Sequence, residues 1–126
     1  MLRGRRVLAD VDDHTPAYAE EVFGPVAPVR SFTSVEEAAE SAAHTPYGLS
    51  LGTVTRDAAR GLELAERIPT GIVHINDQTV NDEAVAPFGG VAASGTGVRF
   101  GGEANLEAFT EVRWTTVRAD VATYPF

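Results

Sequence analysis

The sequence predicts an α/β fold, a partial and mostly parallel sheet with flanking helices, followed by a separate C-terminal strand. Strand-like and helix-like segments alternate as strand, helix, strand, helix, strand, which favours right-handed βαβ units. Ile72–Ile75 is a short apolar run, typical of a strand buried on both faces. Thr110–Val117 alternates between apolar and polar residues, as a strand does. With 126 residues, the chain is one domain in size.

The first third of the chain predicts two strands around a short helix. Arg6–Val11 is the first strand, and after a polar turn Pro16 can begin a helix over 17–21, since proline is tolerated at the first helical position. Val26–Phe32 is the second strand. Pro28 interrupts it, so we expect an edge position or a late start for this strand.

Two longer helices follow, the first with a clear start signal. Ser34–Ala43 begins with Ser34 and Glu37 in the S-x-x-E capping-box spacing, in which each side chain bonds an otherwise unpaired backbone amide. Leu49–Thr55 is the next strand, and Asp57–Ile68 is the second helix. The strand Ile72–Ile75 ends this alternating part of the chain.

A long glycine-rich segment, Asn76–Gly102, follows the buried strand. It is too rich in glycine for a regular element and too long for a plain connection, and such loops in compact domains are usually functional or disordered. Gly95–Gly101 reads G-x-G-x-x-x-G, one residue longer than the dinucleotide fingerprint, so we interpret these glycines as turns. Glu103–Phe109 then predicts a short helix before the strand Thr110–Val117. A strand this late can pair with another subunit by edge addition.

Composition excludes several kinds of chemistry. The net charge is −8 and all ten basic residues are arginine, so binding of nucleic acid or of an anionic membrane is not expected. The lack of lysine excludes P-loop and Schiff-base chemistry, and the lack of cysteine excludes disulfides, thiolate metal sites and a thiol nucleophile within the chain. The three histidines show no metal-ligand spacing. Without a signal peptide or a run of transmembrane length, a cytoplasmic location is expected.

Carboxylates near the start of the long loop allow two interpretations. Asp77, Asp82 and Glu83 could act as acid or base, or they could cap turns, as Asp often does. Glu20 and Glu21 allow the same two interpretations. For neighbouring carboxylates of this kind, a pair exposed to solvent is the simpler interpretation. His74 lies within the apolar strand, where a hydrogen-bonded core histidine is more common than a base.

Five stretches of the chain resemble one family, the NAD(P)-dependent aldehyde dehydrogenases. Residues 20–26 resemble its E-x-F-G-P motif, and residues 47–57 its Y-G-L…T-x-D segment. Residues 87–97 resemble P-F-G-G-x-x-x-S-G-x-G, residues 70–76 the strand ending in Asn, and residues 109–112 the F-T-E start of the last strand. The stretches are collinear and span nearly the whole chain. The loop after Asn76 is most similar to the aromatic branch, the benzaldehyde and vanillin dehydrogenases.

The resemblance implies a fold and a set of site residues. Residues 1–109 would be the C-terminal part of the catalytic domain, and residues 110–126 the oligomerisation strand and tail. NAD or NADP would be held by Glu21, bonding the nicotinamide ribose hydroxyls, and by Phe23, packing at the nicotinamide end. The aldehyde pocket would be walled by the loop residues Asp77, Asn81, Asp82 and Phe88.

The resemblance also implies what this chain cannot do alone. In the family a Cys thiolate attacks the aldehyde, hydride passes to NAD(P), and a Glu-activated water releases the acid. The nucleophile, its base and the cofactor domain belong to a part upstream of the residues matched here. We therefore expect an inactive C-terminal fragment. The alternatives are a subunit of a split enzyme, or a non-catalytic module that pairs with a full-length relative or an upstream fragment through Thr110–Val117.

Overall fold

The computed structural model describes residues 4–121 and residue 123, and contains four helices and six strands in that part of the chain. The strands are β1 (Arg6–Leu8), β2 (Val26–Pro28), β3 (Tyr47–Gly48), β4 (Ser50–Thr53), β5 (Ile72–Ile75) and β6 (Val91–Ala92). The helices are α1 (Pro16–Ala19), α2 (Val35–Ala43), α3 (Ala58–Ala65) and α4 (Ala104–Phe109). Each predicted helix is present, and the predicted alternation of strands and helices is confirmed from β1 to β5. The short strands β3 and β6 were not predicted.

The strands form three separate pairs instead of one sheet. β1 pairs with β2 and β4 pairs with β5, both in parallel, with Leu8 opposite Pro28 and Gly52 opposite His74. β3 and β6 form a short antiparallel pair. The parallel pairing was predicted. Within the described residues no strand bridges one pair to the next, so the partial sheet consists of separate pairs. β2 ends at Pro28. Both strands of a two-stranded sheet are edge strands, so β2 has the edge position that Pro28 predicted.

The start of α2 differs from the predicted capping box in one bond. The Ser34 hydroxyl accepts a hydrogen bond from the Glu37 amide at 3.1 Å, as expected. The Glu37 carboxylate reaches one residue further back, where it accepts from the Thr33 amide and hydroxyl, each at 2.8 Å. These two bonds lower the pKa of Glu37. The helix is thus capped at Ser34 and held at Thr33.

The core is small. The buried apolar residues of the described part are Val11, Ala39, Ala65 and Ile68. β5 was predicted to be buried on both faces, and this was wrong: Val73 is 40% exposed and no residue of the strand is fully buried. Among the described strands, β4 alone pairs with β5, along one edge. Helix α3 covers one face of β5, where Gly61 lies against Ile75.

Thr110–Val117 forms no strand with the described residues. Val112 is fully exposed, and Trp114 and Val117 are almost fully exposed. A ladder needs a second strand, and none of the described strands runs beside this segment. Pairing of this segment with another chain stays a prediction. No helix in the described part is long and apolar enough to cross a membrane.

Candidate functional site

Asn76 joins the end of the scaffold to the long loop. Its amide donates to the Thr53 carbonyl at 2.7 Å, and its side-chain Oδ1 accepts from the Thr55 amide at 2.8 Å. Its φ of +59° turns the chain out of β5, in a region that Asn tolerates better than most residues. Asn76 therefore ties the ends of β4 and β5 together where the loop begins.

The first turn of the loop is built on Asp77. Its Oδ1 accepts from the Gln78 amide at 2.8 Å, and its Oδ2 accepts from Nδ2 of Asn81 at 2.7 Å. The two bonds, with a smaller contribution from nearby His74, lower the pKa of Asp77. Asp77 thus caps a turn, which is one of the two roles that the sequence left open.

A cavity of about 250 Å³ lies between β5 and this loop. Its lining includes Asn81, Asp82, Phe88 and His74. A neighbouring cavity of about 450 Å³ shares Asp82 and Phe88 with it and adds Phe100. Three of the four residues expected to wall the aldehyde pocket therefore lie together. The fourth, Asp77, lines neither cavity and acts through Asn81.

Phe88 is fixed by Phe100. The Phe88 amide donates to the Phe100 carbonyl at 2.6 Å, and the Phe100 amide donates back at 3.0 Å. The ring centroids are 5.1 Å apart, with the rings tilted by 43°. This isolated bridge joins the two ends of the stretch 88–100 within the glycine-rich segment and orients the half-buried Phe88 ring towards the cavities.

The glycines behind Phe88 allow close backbone packing. A Cβ at Gly71 would overlap the carbonyl of Gly89, and Gly90 lies buried against Ser94. The guanidinium of Arg99 donates to the Gly90 carbonyl at 2.8 Å. The segment is thus a set of packed turns, as the spacing of its glycines predicted.

The expected cofactor residues lie in a different place. Glu21 and Phe23 are in the exposed segment between α1 and β2, and the Phe23 side chain is 93% exposed. Glu21 borders a cavity of about 340 Å³ together with Tyr18 and Tyr47. The structure does not bring Glu21 into either of the loop cavities.

His74 lines the loop cavity, although the sequence did not identify it as a candidate site residue. Its Nε2 is buried and has no hydrogen-bond partner among the described residues, so the expected hydrogen-bonded core histidine is wrong here. The available signal was a single polar residue in an apolar strand, directly before a loop with polar side chains.

Fold and site together define an α/β segment whose long loop lines two cavities beside β5. The sequence matches the aldehyde dehydrogenase family over residues 5–115, and the chain belongs to that family. It is 69% identical over 121 residues to a vanillin dehydrogenase from an Amycolatopsis species, and 48% identical over 120 residues to a benzaldehyde dehydrogenase [NAD(+)] from Pseudomonas putida. In each case the match covers 95% of this chain and 25% of the relative.

The structure of a salicylaldehyde dehydrogenase from Pseudomonas putida G7, complexed with salicylaldehyde, has a similar fold. It superposes with a TM-score of 0.86 at 40% identity, over 95% of this chain and 25% of that enzyme. The chain therefore spans about a quarter of the length of the relatives it matches. The resemblance drawn from the motifs is confirmed, as is the α/β fold with parallel strands and helices.

Proposed function

We propose that the chain is the C-terminal portion of an NAD(P)-dependent dehydrogenase that oxidises aromatic aldehydes to carboxylic acids. The similarity to vanillin, benzaldehyde and salicylaldehyde dehydrogenases supports the aromatic class. The observation that carries the proposal is the loop cavity, where Phe88 supplies an aromatic wall beside a few polar groups. Apolar walls with few polar groups are typical of small-molecule sites.

In this proposal the loop after β5 forms one side of the aldehyde pocket. Phe88 packs against the aromatic ring of the substrate, with its own ring held by Phe100. Asn81 and Asp82 form the polar rim, and Asp77 keeps Asn81 in place through the 2.7 Å hydrogen bond. This chain thus contributes shape and polarity to the pocket.

Glu21 and Phe23 are proposed as the cofactor contacts. The Glu21 carboxylate has no hydrogen bond from the described residues and borders a cavity, so it is available to accept from two vicinal ribose hydroxyls. The exposed Phe23 ring is available to pack against the nicotinamide end. The residues present therefore fit this part of NAD or NADP. When bound, the cofactor accepts the hydride that leaves the aldehyde carbon.

The thiolate nucleophile of the family must come from elsewhere, because the chain has no cysteine. The isolated chain is accordingly inactive, and catalysis requires the upstream part of an enzyme, joined to it or supplied as a separate subunit. NAD(P)-dependent oxidation is in keeping with a cytoplasmic location.

A graft tests the proposal. Residues 5–115 replace the matching part of the Amycolatopsis vanillin dehydrogenase, and NADH formation is followed with benzaldehyde and NAD. We expect turnover by the grafted enzyme, and a raised KM for benzaldehyde in its Phe88→Ala variant. Phe109→Ala, at a side chain outside the cavities that is 85% exposed, is the matched control. A folded graft without turnover would contradict the proposal.

A second candidate, an oligomerisation or interaction role for the tail, is favoured by its exposed apolar side chains. Val112 and Trp114 are solvent-exposed in the single chain, where burial against another subunit would stabilise an assembly. We expect the chain to co-purify with an intact aldehyde dehydrogenase, or with a second copy of itself, and Val112→Asp with Trp114→Asp to abolish the pairing. An unchanged complex in the double variant would reject this role for Thr110–Val117.

A further inference from the structure

His74 projects from the face of β5 that the loop covers. Side chains opposite each other in a parallel pair lie on the same face of the sheet, and Gly52 is paired with His74. A Cβ on Gly52 would meet the methyl group of Thr79 at 2.9 Å, which puts the loop on that face. The next residue, Ile75, faces the other way and contacts Gly61 of α3.

The buried imidazole nitrogen of His74 lacks a partner in the described chain. Nε2 is shielded from solvent and makes no hydrogen bond there. Leaving such a group unpaired costs about 1–3 kcal/mol, so a buried polar atom of this kind calls for a ligand or another partner. His74 also lines the 250 Å³ cavity that it shares with Phe88, so a bound molecule can supply the partner.

The rest of the lining restricts the chemistry of that molecule. Phe88 and Pro87 offer apolar surface to a ring, while Asp82 and Glu83 bring two carboxylates. Among the described residues, no Arg lines the cavity. Carboxylates accept hydrogen bonds and repel anions, so a neutral substituent that donates a hydrogen bond fits, and an ionised carboxylate does not.

We propose that His74 is a specificity-determining residue that hydrogen-bonds a ring hydroxyl of the aromatic aldehyde. The hydroxyl donates to Nε2 where that nitrogen carries no proton, or accepts from it where it does, while the ring packs against Phe88. This inference rests on the proposed function, and it adds a preference: hydroxylated rings bind best, unsubstituted rings less well, and carboxylated rings worst.

Binding to the chain itself gives the first test. The lack of cysteine and lysine leaves the N-terminal amine as the group that can react with an aldehyde, so binding can be followed directly. Nitrogen NMR of the imidazoles, with para- and meta-hydroxybenzaldehyde as probes, should move the His74 Nε2 resonance, while benzaldehyde moves it less. His14 and His44 serve as internal references. Equal shifts with benzaldehyde, or no shift at His74, would overturn the inference.

The grafted enzyme gives the second test and separates the two proposals. The ratio of kcat/KM for hydroxybenzaldehyde over benzaldehyde should fall by about three- to tenfold in His74→Phe, the loss of one hydrogen bond. His74→Gln, which can still hydrogen-bond, should keep part of the ratio, and His44→Phe should leave it unchanged. The inference about His74 alone fails when the wild-type graft forms NADH but its kcat/KM ratio is the same as that of the His74→Phe graft. The proposed function fails when the wild-type graft oxidises no aldehyde, and the NMR arm then still decides the role of His74.

Discussion

Phe88 and Phe100 bond each other through both backbone amides, at 2.6 and 3.0 Å, and their rings are 5.1 Å apart. Twelve positions separate them in the sequence, and between them lie the packed glycine turns. The pair therefore closes the stretch 88–100 of the glycine-rich segment and sets the direction of the Phe88 ring at the loop cavities.

Phe100→Ala should loosen this closure. An aromatic pair of this kind contributes about 0.5–1.5 kcal/mol beyond the area it buries. We expect a drop of roughly that size in the free energy of unfolding, measured by urea denaturation and circular dichroism, with the largest amide shift changes near Phe88. Phe109→Ala removes a ring of the same size that is 85% exposed and should cost far less. Equal losses in the two variants would show that the ring pair does not anchor the loop.

Alanine substitutions at Gly71 and Gly24 test the close packing behind Phe88, with Gly24 as the control position. A Cβ at position 71 would overlap the Gly89 carbonyl, whereas nothing lies within 4 Å of a Cβ at position 24. Gly71→Ala should therefore lower the free energy of unfolding by about 1–3 kcal/mol, since a backbone segment must shift, and Gly24→Ala should change it little. Thermal unfolding of the two variants gives the comparison. A Gly71→Ala chain as stable as Gly24→Ala would contradict the packing.

Asp57 begins α3 and accepts hydrogen bonds from the amides of Ala59 and Arg60, at 3.0 and 3.3 Å. Asp57→Ala leaves both amides without this acceptor and should cost about 1 kcal/mol. Asp57→Asn keeps an oxygen at the cap and should retain most of the stability. Urea unfolding measures both, and a loss in Asp57→Asn as large as in Asp57→Ala would mean that the cap is not the cause.

The turn at Asp77 should weaken in acid. Its pKa is lower in the folded chain, chiefly because of the Gln78 amide and then of Asn81, so its contribution is present above the unfolded pKa of about 3.9. That contribution is lost as the pH falls through the lower folded value. Asp77→Asn cannot titrate, so the wild-type chain should exceed it in thermal stability near neutral pH, with the difference shrinking below about pH 4.

The matched control for this titration is Glu63→Gln, which removes one carboxylate from the exposed face of α3. Its stability relative to the wild type should change much less over the same range of pH. A gap between wild type and Asp77→Asn that stays constant down to acid pH would show that the carboxylate does not hold the turn.

Local patterns were enough to predict the helices and the glycine turns. Ser34 and Asp57 are capping residues whose side chains bond amides two or three positions away, so short-range sequence determines both helix starts. The Glu37 bond to Thr33 was missed because a carboxylate can reach either of two neighbouring amides. Burial was harder to predict. An apolar strand predicts that Val73 is buried, but the exposure of this side chain depends on which other segments lie beside β5.

The candidate site could be predicted only where its residues are close in the sequence. Asn81, Asp82 and Phe88 are close in sequence and gather around one cavity. His74 was interpreted as a hydrogen-bonded core residue because an apolar strand predicts burial, and burial usually comes with a partner. Whether Nε2 finds that partner depends on the fold of the loop over β5, which residue types alone do not determine.

The central claim is that this chain carries one wall of an aldehyde pocket and contacts for NAD(P) but no nucleophile. The direct measurement is NADH formation from benzaldehyde and NAD, by the chain alone and after mixing with the upstream three quarters of the Amycolatopsis relative. We predict no NADH from either part alone and turnover from the mixture, reduced by Glu21→Ala. Turnover by the purified chain alone would contradict the account.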